Sequence, residues 1–273
     1  MLQRYFDIIT NSMKISSQSN ETPPESTENQ IENGFWSFPP NSISYPVQYK
    51  GENCLNIACT QLPNITATEQ KKLIRQWIDF LPQCKSIETL WFTTHTPQQI
   101  FNSACQLDQL IGLNIKYSSI KTLDPISRLK NLKYLRIGNS AKIESIKPIE
   151  SLTNLEVLGI ENFSKISDFS DLRVLTNLKF LTIEGSMYTK QKVDSFDFLT
   201  GLKNLIYLST TMISTKDKSI DTIYKLKNLK TLNWPFDLTK EEMTKLKREL
   251  PNLKHLPHRY YEANLRKIKA SFK

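Results

Sequence analysis

The sequence predicts an α/β solenoid, a horseshoe whose parallel β-sheet lines the concave side and whose convex side consists mostly of 3₁₀ turns and short helices. The first observation is a phrase that returns eight times, most clearly as Leu129-Lys-Asn-Leu132-Lys-Tyr-Leu135-Arg-Ile137. The second is its spacing of 22 to 27 residues, because a fixed period of this size indicates stacked repeats. The third is an apolar residue at every third position in three of the return segments, at 120–129, 143–152 and 166–175, which suits 3₁₀ turns.

Each repeat combines a predicted strand with a compact return segment. The repeats extend over residues 84–257, with anchors at Ile87, Leu110, Leu132, Leu155, Leu178, Leu205, Leu229 and Leu253. Pro125 and Pro148 argue against long helices in two return segments. The first and last units differ, because residues 96–105 and 239–250 have helical patterns. Thr96 and Thr239 stand in the capping position of these helices, and Glu242 completes a capping box with Thr239.

The chain before and after the repeats has a different character. Residues 1–34 are polar and have too little apolar area to offset the entropy of ordering, so disorder is expected. Residues 35–83 predict an N-terminal cap of two short strands joined by a turn and an amphipathic helix that Pro82 ends. A separate ligand module is the alternative for this segment. Residues 258–273 form a basic tail.

Charge and hydropathy limit the classes of protein. The net charge is +9, and residues 189–273 hold 18 Lys and Arg against 9 Asp and Glu. Such a basic end attracts nucleic acid, an anionic membrane or an acidic protein, although a solvated lysine surface has the same composition. No apolar run reaches the ~18 residues of a membrane span, and residues 1–10 lack the apolar run of a signal peptide. We therefore expect a cytoplasmic protein and a monomer.

The repeated motif resembles the leucine-rich repeat family. Leu-x-x-Leu-x-Leu/Ile is the strand signature of that family, and a Leu-x-Asn-Leu lead-in occurs six times here, at Asn131, Asn154, Asn177, Asn204, Asn228 and Asn252. The compact form looks like the short 22-residue class of bacterial internalins and of a eukaryotic phosphatase regulator. Two departures matter. Ser118, Ser140 and Ser186 stand where the family has asparagine after the strand, and the missing secretion signal counts against an internalin-like surface role.

The sequence contains no motif of known catalytic chemistry. A nucleophile elbow, a phosphate loop and a dinucleotide-binding fingerprint are all absent. The four cysteines lack metal-ligand spacing and predict free buried thiols. His255 and His258 have no further ligand-type residues close by in the sequence. We therefore expect no enzymatic activity, no cofactor and no metal site.

Strand alternation assigns the remaining residues of each repeat to three outward lanes. The first lane holds an apolar run, here called the aromatic stripe, which consists of Tyr134, Val157, Phe180 and Tyr207. Parallel strands are about 4.8 Å apart, so these side chains should form one contiguous solvent-facing surface. Trp91 and Arg136 occupy the second lane, and Glu161 and Glu184 the third. Aromatic residues beside an arginine are typical of binding hot spots, whereas the alternative is that they only shield the sheet.

The 27-residue spacing indicates an insertion, here called the inserted loop, at residues 185–192. It follows the predicted strand of Phe180 and Glu184. Insertions in repeat proteins often lie on the binding face, so Tyr188 is expected to border the aromatic stripe. A neutral insertion is the alternative.

These patterns predict a non-catalytic module that binds a protein partner through the concave face. The expected contacts are the aromatic stripe together with Trp91, Arg136, Glu161, Glu184 and Tyr188. One alternative is a nucleic-acid or anionic-surface binder that uses the basic C-terminal third. A second is an adaptor that docks a separate enzyme.

Overall fold

A computed structural model describes residues 39–254. The predicted segment 1–34, the aromatic start of the predicted cap, His255, His258 and the basic tail lie outside the described residues. The described chain contains eleven strands: Ser42–Ile43 (β1), Cys54–Ile57 (β2), Thr89–Phe92 (β3), Gly112–Ile115 (β4), Tyr134–Ile137 (β5), Val157–Glu161 (β6), Phe180–Glu184 (β7), Gln191–Lys192 (β8), Tyr207–Thr211 (β9), Ile213–Ser214 (β10) and Thr231–Asn233 (β11).

Nine of these strands form one sheet in the order β1-β2-β3-β4-β5-β6-β7-β9-β11. Every neighbouring pair is parallel, and from β2 onward the central Leu of each strand meets its counterpart, as Leu135 meets Leu158 and Leu158 meets Leu181. Strands β8 and β10 form a separate two-stranded parallel sheet. The solenoid predicted from the repeat period is therefore confirmed.

The inward-facing residues of the repeats form one continuous core. Leu135, Leu158 and Leu181 are fully buried in it, together with the residues of the return segments. The outward neighbours Val157 and Phe180 do not belong to this core cluster. The two faces of the sheet therefore follow the alternation of the motif.

Five return segments are 3₁₀ helices, and the three-residue period predicts the first three of them. They comprise Asp124–Arg128, Lys147–Ser151, Ser170–Val174, Asp197–Gly201 and Ile223–Lys225. Their apolar residues eclipse at i and i+3 and point into the core. Ile126, Ile149 and Leu172 are the buried residues in three of them.

The described chain has three α-helices, at Ala67–Phe80 (α1), Gln98–Ala104 (α2) and Lys240–Glu249 (α3). Thr239 caps α3 and forms the predicted capping box with Glu242. The prediction that Thr96 caps α2 is wrong, because Pro97 occupies the N-cap without a side-chain bond. Thr96 is instead buried in a bridge to Ser118, where its N–H donates to the Tyr117 carbonyl at 3.0 Å.

The segment before the repeats joins the same sheet. Strands β1 and β2 are parallel neighbours and β2 pairs with β3, so the turn between them is not a hairpin. Helix α1 is capped by Thr66, and Trp77 on its buried side donates Nε1–H to the Ser44 carbonyl at 2.7 Å. The role of residues 35–83 as a cap stays a prediction.

The asparagines of the Leu-x-Asn-Leu lead-in connect successive repeats. Each Nδ2 donates to a backbone carbonyl of the preceding repeat at 2.9–3.1 Å, in Asn131, Asn154, Asn177, Asn204 and Asn228. A side-chain amide at this position satisfies a carbonyl that the turn leaves without a partner in its own repeat. The asparagine of the motif therefore fixes the stacking, whereas the leucines fill the core.

Candidate functional site

Strand pairing places the four residues of the aromatic stripe next to one another. Tyr134 pairs with Val157, Val157 with Phe180, and Phe180 with Tyr207. The rings of Phe180 and Tyr207 are stacked with their centroids 6.0 Å apart. The repeat alignment therefore gives the correct order and register of these side chains.

The middle of the aromatic stripe is buried, contrary to the expectation of a solvent-facing surface. Val157 is 0% exposed and Phe180 is 4% exposed, whereas Tyr134 and Tyr207 are partly exposed. Val157 lies between two larger neighbours on adjacent strands, and the Tyr207 ring covers one side of Phe180. Because parallel strands are close together, large side chains in one lane shield each other, and the two ends of the stripe keep more contact with solvent than its middle.

Trp91 is also buried on the outward face, at 5% exposure. It pairs with Asn56 on one side and Asn114 on the other, and both asparagines are buried as well. Asn56 donates to the Pro40 carbonyl at 2.9 Å and accepts from the Thr93 hydroxyl at 3.0 Å. Trp91 therefore stands in a packed polar surround, and its predicted partner contact stays a prediction.

Three charged residues lie beside the aromatic stripe. Arg136 Nη2 is 3.4 Å from Glu161 Oε2, and both side chains keep about a third of their surface in solvent. Glu161 pairs with Glu184 on the next strand, so two carboxyl groups share one lane. The Ser209 hydroxyl donates to Glu184 at 3.4 Å. The sheet face thus carries the Arg136–Glu161 ion pair, and Glu184 lies next to it as a second acid.

The second acid has an altered protonation equilibrium. Burial raises the pKa of Glu184, and the facing Glu161 carboxylate raises it further. Arg136 and the hydrogen bonds from Thr211 and Ser209 oppose this rise. The charged form of Glu184 is therefore disfavoured in the folded chain relative to the unfolded chain.

Glu184→Gln is expected to increase the melting temperature at pH 7. When folding raises the pKa of a carboxyl, the stability of the protein falls as the pH rises from the unfolded pKa to the folded pKa. At a pH below both pKa values the carboxyl is protonated in both states and has no such effect. The neutral amide removes that loss, so the gain should appear at pH 7 and disappear below about pH 4. Thermal melts of both proteins across this range check it.

Glu144→Gln, an exposed acid paired with Lys165, is the control without a gain. A lower melting temperature for Glu184→Gln at pH 7 would contradict the argument.

The inserted loop leaves the sheet directly after Glu184. Met187 and Tyr188 at its tip are 72% and 88% exposed. The loop then returns into strand β8, which pairs with β10 in the following repeat. The small second sheet was not predicted from the sequence, and Tyr188 is the most exposed of the predicted contact residues.

Comparison with known proteins finds similarity at the level of structure. No protein-family model and no curated protein matches the sequence. Among solved structures, an internalin C2 from Listeria monocytogenes superposes with a TM-score of 0.51 at 25% identity, over 66% of this chain and 73% of the internalin. This chain has the leucine-rich repeat fold. Its repeats resemble those of the internalins, as the motif implies.

Two further structures resemble the chain more loosely. An internalin, InlF, from Listeria monocytogenes has a TM-score of 0.45 at 20% identity, over 75% of this chain and 66% of InlF. A leucine-rich repeat protein from Leptospira interrogans has a TM-score of 0.38 at 19% identity, over 87% of this chain and 64% of that protein.

Hydroxyl groups replace part of the asparagine ladder that leucine-rich repeats have after the strand. Ser118 Oγ and Ser140 Oγ are 2.6 Å apart, and Ser140 Oγ donates to the Gly138 carbonyl at 2.6 Å. Ser186 does not continue this ladder. Its Oγ instead accepts from the N–H groups of Tyr188 and Thr189 inside the inserted loop.

Gln191 hydrogen-bonds the backbone of the repeat in which Phe163 stands where leucine-rich repeats have the asparagine after the strand. The Gln191 side chain is fully buried, and its Oε1 accepts from the Phe163 N–H at 2.8 Å. Its Nε2 donates to the Ile166 carbonyl at 2.7 Å. Sequence reasoning missed this residue because a glutamine in an insertion suggests a solvent-exposed side chain. The signal was Phe163 itself, since an apolar ladder residue leaves a backbone group to be satisfied from elsewhere.

Burial determines the state of the cysteines in the described part of this leucine-rich repeat chain. Burial raises the pKa of Cys59 to about 12 and that of Cys84 to about 11, and it also raises the pKa of Cys105. All four cysteines are free thiols, and raised pKa values keep these three from forming reactive thiolates. Between residues 39 and 254, no three His, Cys, Asp or Glu side chains are grouped to hold a metal. In the same range no helix has the length and apolarity needed to cross a membrane.

Proposed function

We propose that this chain is a non-catalytic module that binds a protein partner through the exposed face of its sheet. The observation that carries the proposal is the aromatic stripe, whose four residues lie in register beside the Arg136–Glu161 ion pair. Tyrosine and arginine dominate binding hot spots because they combine apolar area with directional hydrogen bonds. The leucine-rich repeat fold supports this function, since solenoids present extended surfaces for binding.

The burial of Val157 and Phe180 divides the proposed surface into a packed centre and two partly exposed ends. A rigid centre holds Tyr134 and Tyr207 in place, so these side chains lose little conformational entropy when a partner covers them. The partly exposed ion pair next to Tyr134 gives the partner an orientation, because a charged group must meet either Arg136 or Glu161. Trp91, Glu184 and Tyr188 remain proposed contacts at the border of this area.

A double variant, Tyr134→Ala with Arg136→Ala, is expected to weaken partner binding by more than about tenfold, since each hot-spot truncation typically costs over ~1 kcal/mol. It should change the free energy of unfolding by less than about 1 kcal/mol, because both side chains are partly exposed. Phe180→Ala is unsuitable as a test, since removing a buried ring lowers stability as well. Proteins captured by the wild-type chain from its source organism are purified, and their affinity for each variant is measured by calorimetry.

Val174→Ser is the matched control for this experiment. Val174 is 50% exposed and lies on a return segment, on the side away from the sheet face. A genuine partner should bind this control as it binds the wild-type chain. A partner that binds the double variant with unchanged affinity, or that loses affinity for the control, argues against the sheet face as the site. The cytoplasmic location and the monomeric state stay predictions.

A further inference from the structure

The tip of the inserted loop exposes apolar side chains that the fold does not use. Met187 and Tyr188 keep 72% and 88% of their surface in solvent, and Met212 on the neighbouring strand connection keeps 41%. Isolated exposed apolar residues are ordinary, but here three belong to one small structural unit. Along the chain this unit follows strands β7 and β9 of the main sheet.

The exposed tip is held by hydrogen bonds at its base. Gly185 N–H donates to the Thr211 carbonyl at 3.0 Å, and the Ser186 N–H donates to the Thr189 carbonyl at 2.8 Å. A Cβ at position 185 would come within 2.4 Å of the Met212 carbonyl oxygen, so only glycine permits this close approach. The side chain of Gln191, fully buried, fixes the returning strand. The tip is therefore presented in an ordered shape before it meets any partner.

The outward side of the small sheet is basic. Gln191 and Ile213 point inward and are buried, so alternation places Lys190 and Lys192 outward with Ser214. Met212, which precedes β10 with a left-handed φ of 52°, is exposed as well. Lys190, Lys192 and the following Lys216 are exposed. The same alternation places the exposed Asp194 on this face, where it accepts a hydrogen bond from the Ser167 hydroxyl at 2.7 Å. The exposed Asp217 follows Lys216, so these three lysines stand against two acids. Apolar and positively charged groups thus share one face.

We propose that this face, the Met187–Tyr188 tip with its flanking lysines, attaches to the surface of an anionic lipid membrane. The headgroup region accepts tyrosine rings, which combine an apolar body with a polar end. Lysines next to the inserted side chains face the negative charge of phosphatidylserine or similar lipids. Exposed apolar side chains beside lysines match an interface that combines apolar chains with anionic headgroups. The proposal concerns the loop tip, which shares only Tyr188 with the contacts proposed for a protein partner, and it does not depend on them.

Co-sedimentation of the full chain with lipid vesicles tests the proposal. Vesicles of phosphatidylcholine alone are compared with vesicles that also contain about 30% phosphatidylserine. The wild-type chain is expected to bind only the anionic vesicles and to dissociate as salt shortens the screening length from about 10 Å at 0.1 M to about 3 Å at 1 M. Lys190→Gln with Lys192→Gln should weaken binding about 30-fold, at about fivefold for each lysine. Met187→Ser with Tyr188→Ser should weaken it by about tenfold or more.

Matched controls separate the site from general charge and hydrophobicity. Lys71→Gln with Lys72→Gln removes two exposed lysines of helix α1, and Val47→Ser removes a side chain that is 80% exposed. Both controls should bind anionic vesicles as the wild-type chain does, and the melting temperatures of all variants should agree. Equal loss of binding in the controls would overturn the proposal, as would full binding by the loop variants. A wild-type chain that binds neither kind of vesicle also overturns it and leaves a protein as the partner of the loop.

Discussion

Leu158→Ala is expected to lower the free energy of unfolding by about 2–5 kcal/mol, because truncating a buried leucine loses its transfer free energy and leaves a cavity. Leu158 is fully buried at the centre of strand β6, with Leu135 and Leu181 on either side. The cavity would therefore open between two repeat interfaces at once. In a solenoid each repeat contacts only its neighbours, so the loss also uncouples the repeats before Leu158 from those after it. Urea unfolding followed by circular dichroism measures the effect.

The conservative variant Leu158→Met separates the effect of lost core volume from the effect of changing the residue at all. It keeps the volume nearly constant, and such exchanges usually cost less than about 1.5 kcal/mol. The single core indicates that the wild-type repeats unfold together. Because Leu158→Ala weakens the contact between the repeats on either side of it, the unfolding transition should also broaden or split into two. A cost below about 1 kcal/mol for Leu158→Ala would mean that the inward assignment of this lane is wrong.

The repeat pattern predicts the fold well because its determinants are local. The Leu-x-Leu/Ile alternation assigns Leu158 and Ile160 to the core, and strand pairing confirms the lanes between them. The three-residue period around Ile149 predicts a 3₁₀ turn in the same way, since eclipsed side chains require it. Neither inference needs knowledge of a distant part of the chain.

Exposure on the outward face could not be predicted, because it depends on neighbours from other repeats. Val157 has the same lane position as Tyr134, yet it is fully buried between larger side chains. Sequence alternation gives only the direction in which a side chain points. The sizes of its lane neighbours decide how much of a side chain reaches solvent. The exposed area of the aromatic stripe therefore lies at Tyr134 and Tyr207.

Local motifs also fail where a tertiary contact competes with them. Thr96 precedes a helix, and threonine is a favoured N-cap, but Pro97 takes the cap position. The Thr96 backbone is committed to the Tyr117 carbonyl and its side chain is buried in the bridge to Ser118. The stacking of repeats thus determines the conformation here, and the helix begins without a side-chain cap.

Gln191→Ala is expected to destabilise the chain by about 2–6 kcal/mol, because two buried polar groups lose their partner and each loss costs about 1–3 kcal/mol. The side chain is fully buried and provides an acceptor for the Phe163 N–H and a donor for the Ile166 carbonyl. Alanine removes both bonds. The variant should also loosen the inserted loop, since β8 is held through this residue, and faster hydrogen exchange at Val193 N–H would report this.

Gln191→Met distinguishes the lost hydrogen bonds from the lost volume. Methionine fills a similar space but cannot bond the Phe163 N–H or the Ile166 carbonyl, so it should recover less than half of the stability that alanine loses. Gln76→Ala on the exposed side of helix α1 is the matched surface control and should change stability by less than about 0.5 kcal/mol. If methionine restores wild-type stability in urea unfolding, the buried amide acts only by packing. In that case the inserted loop owes its order to the β8–β10 pairing rather than to a polar replacement for the asparagine ladder at Phe163.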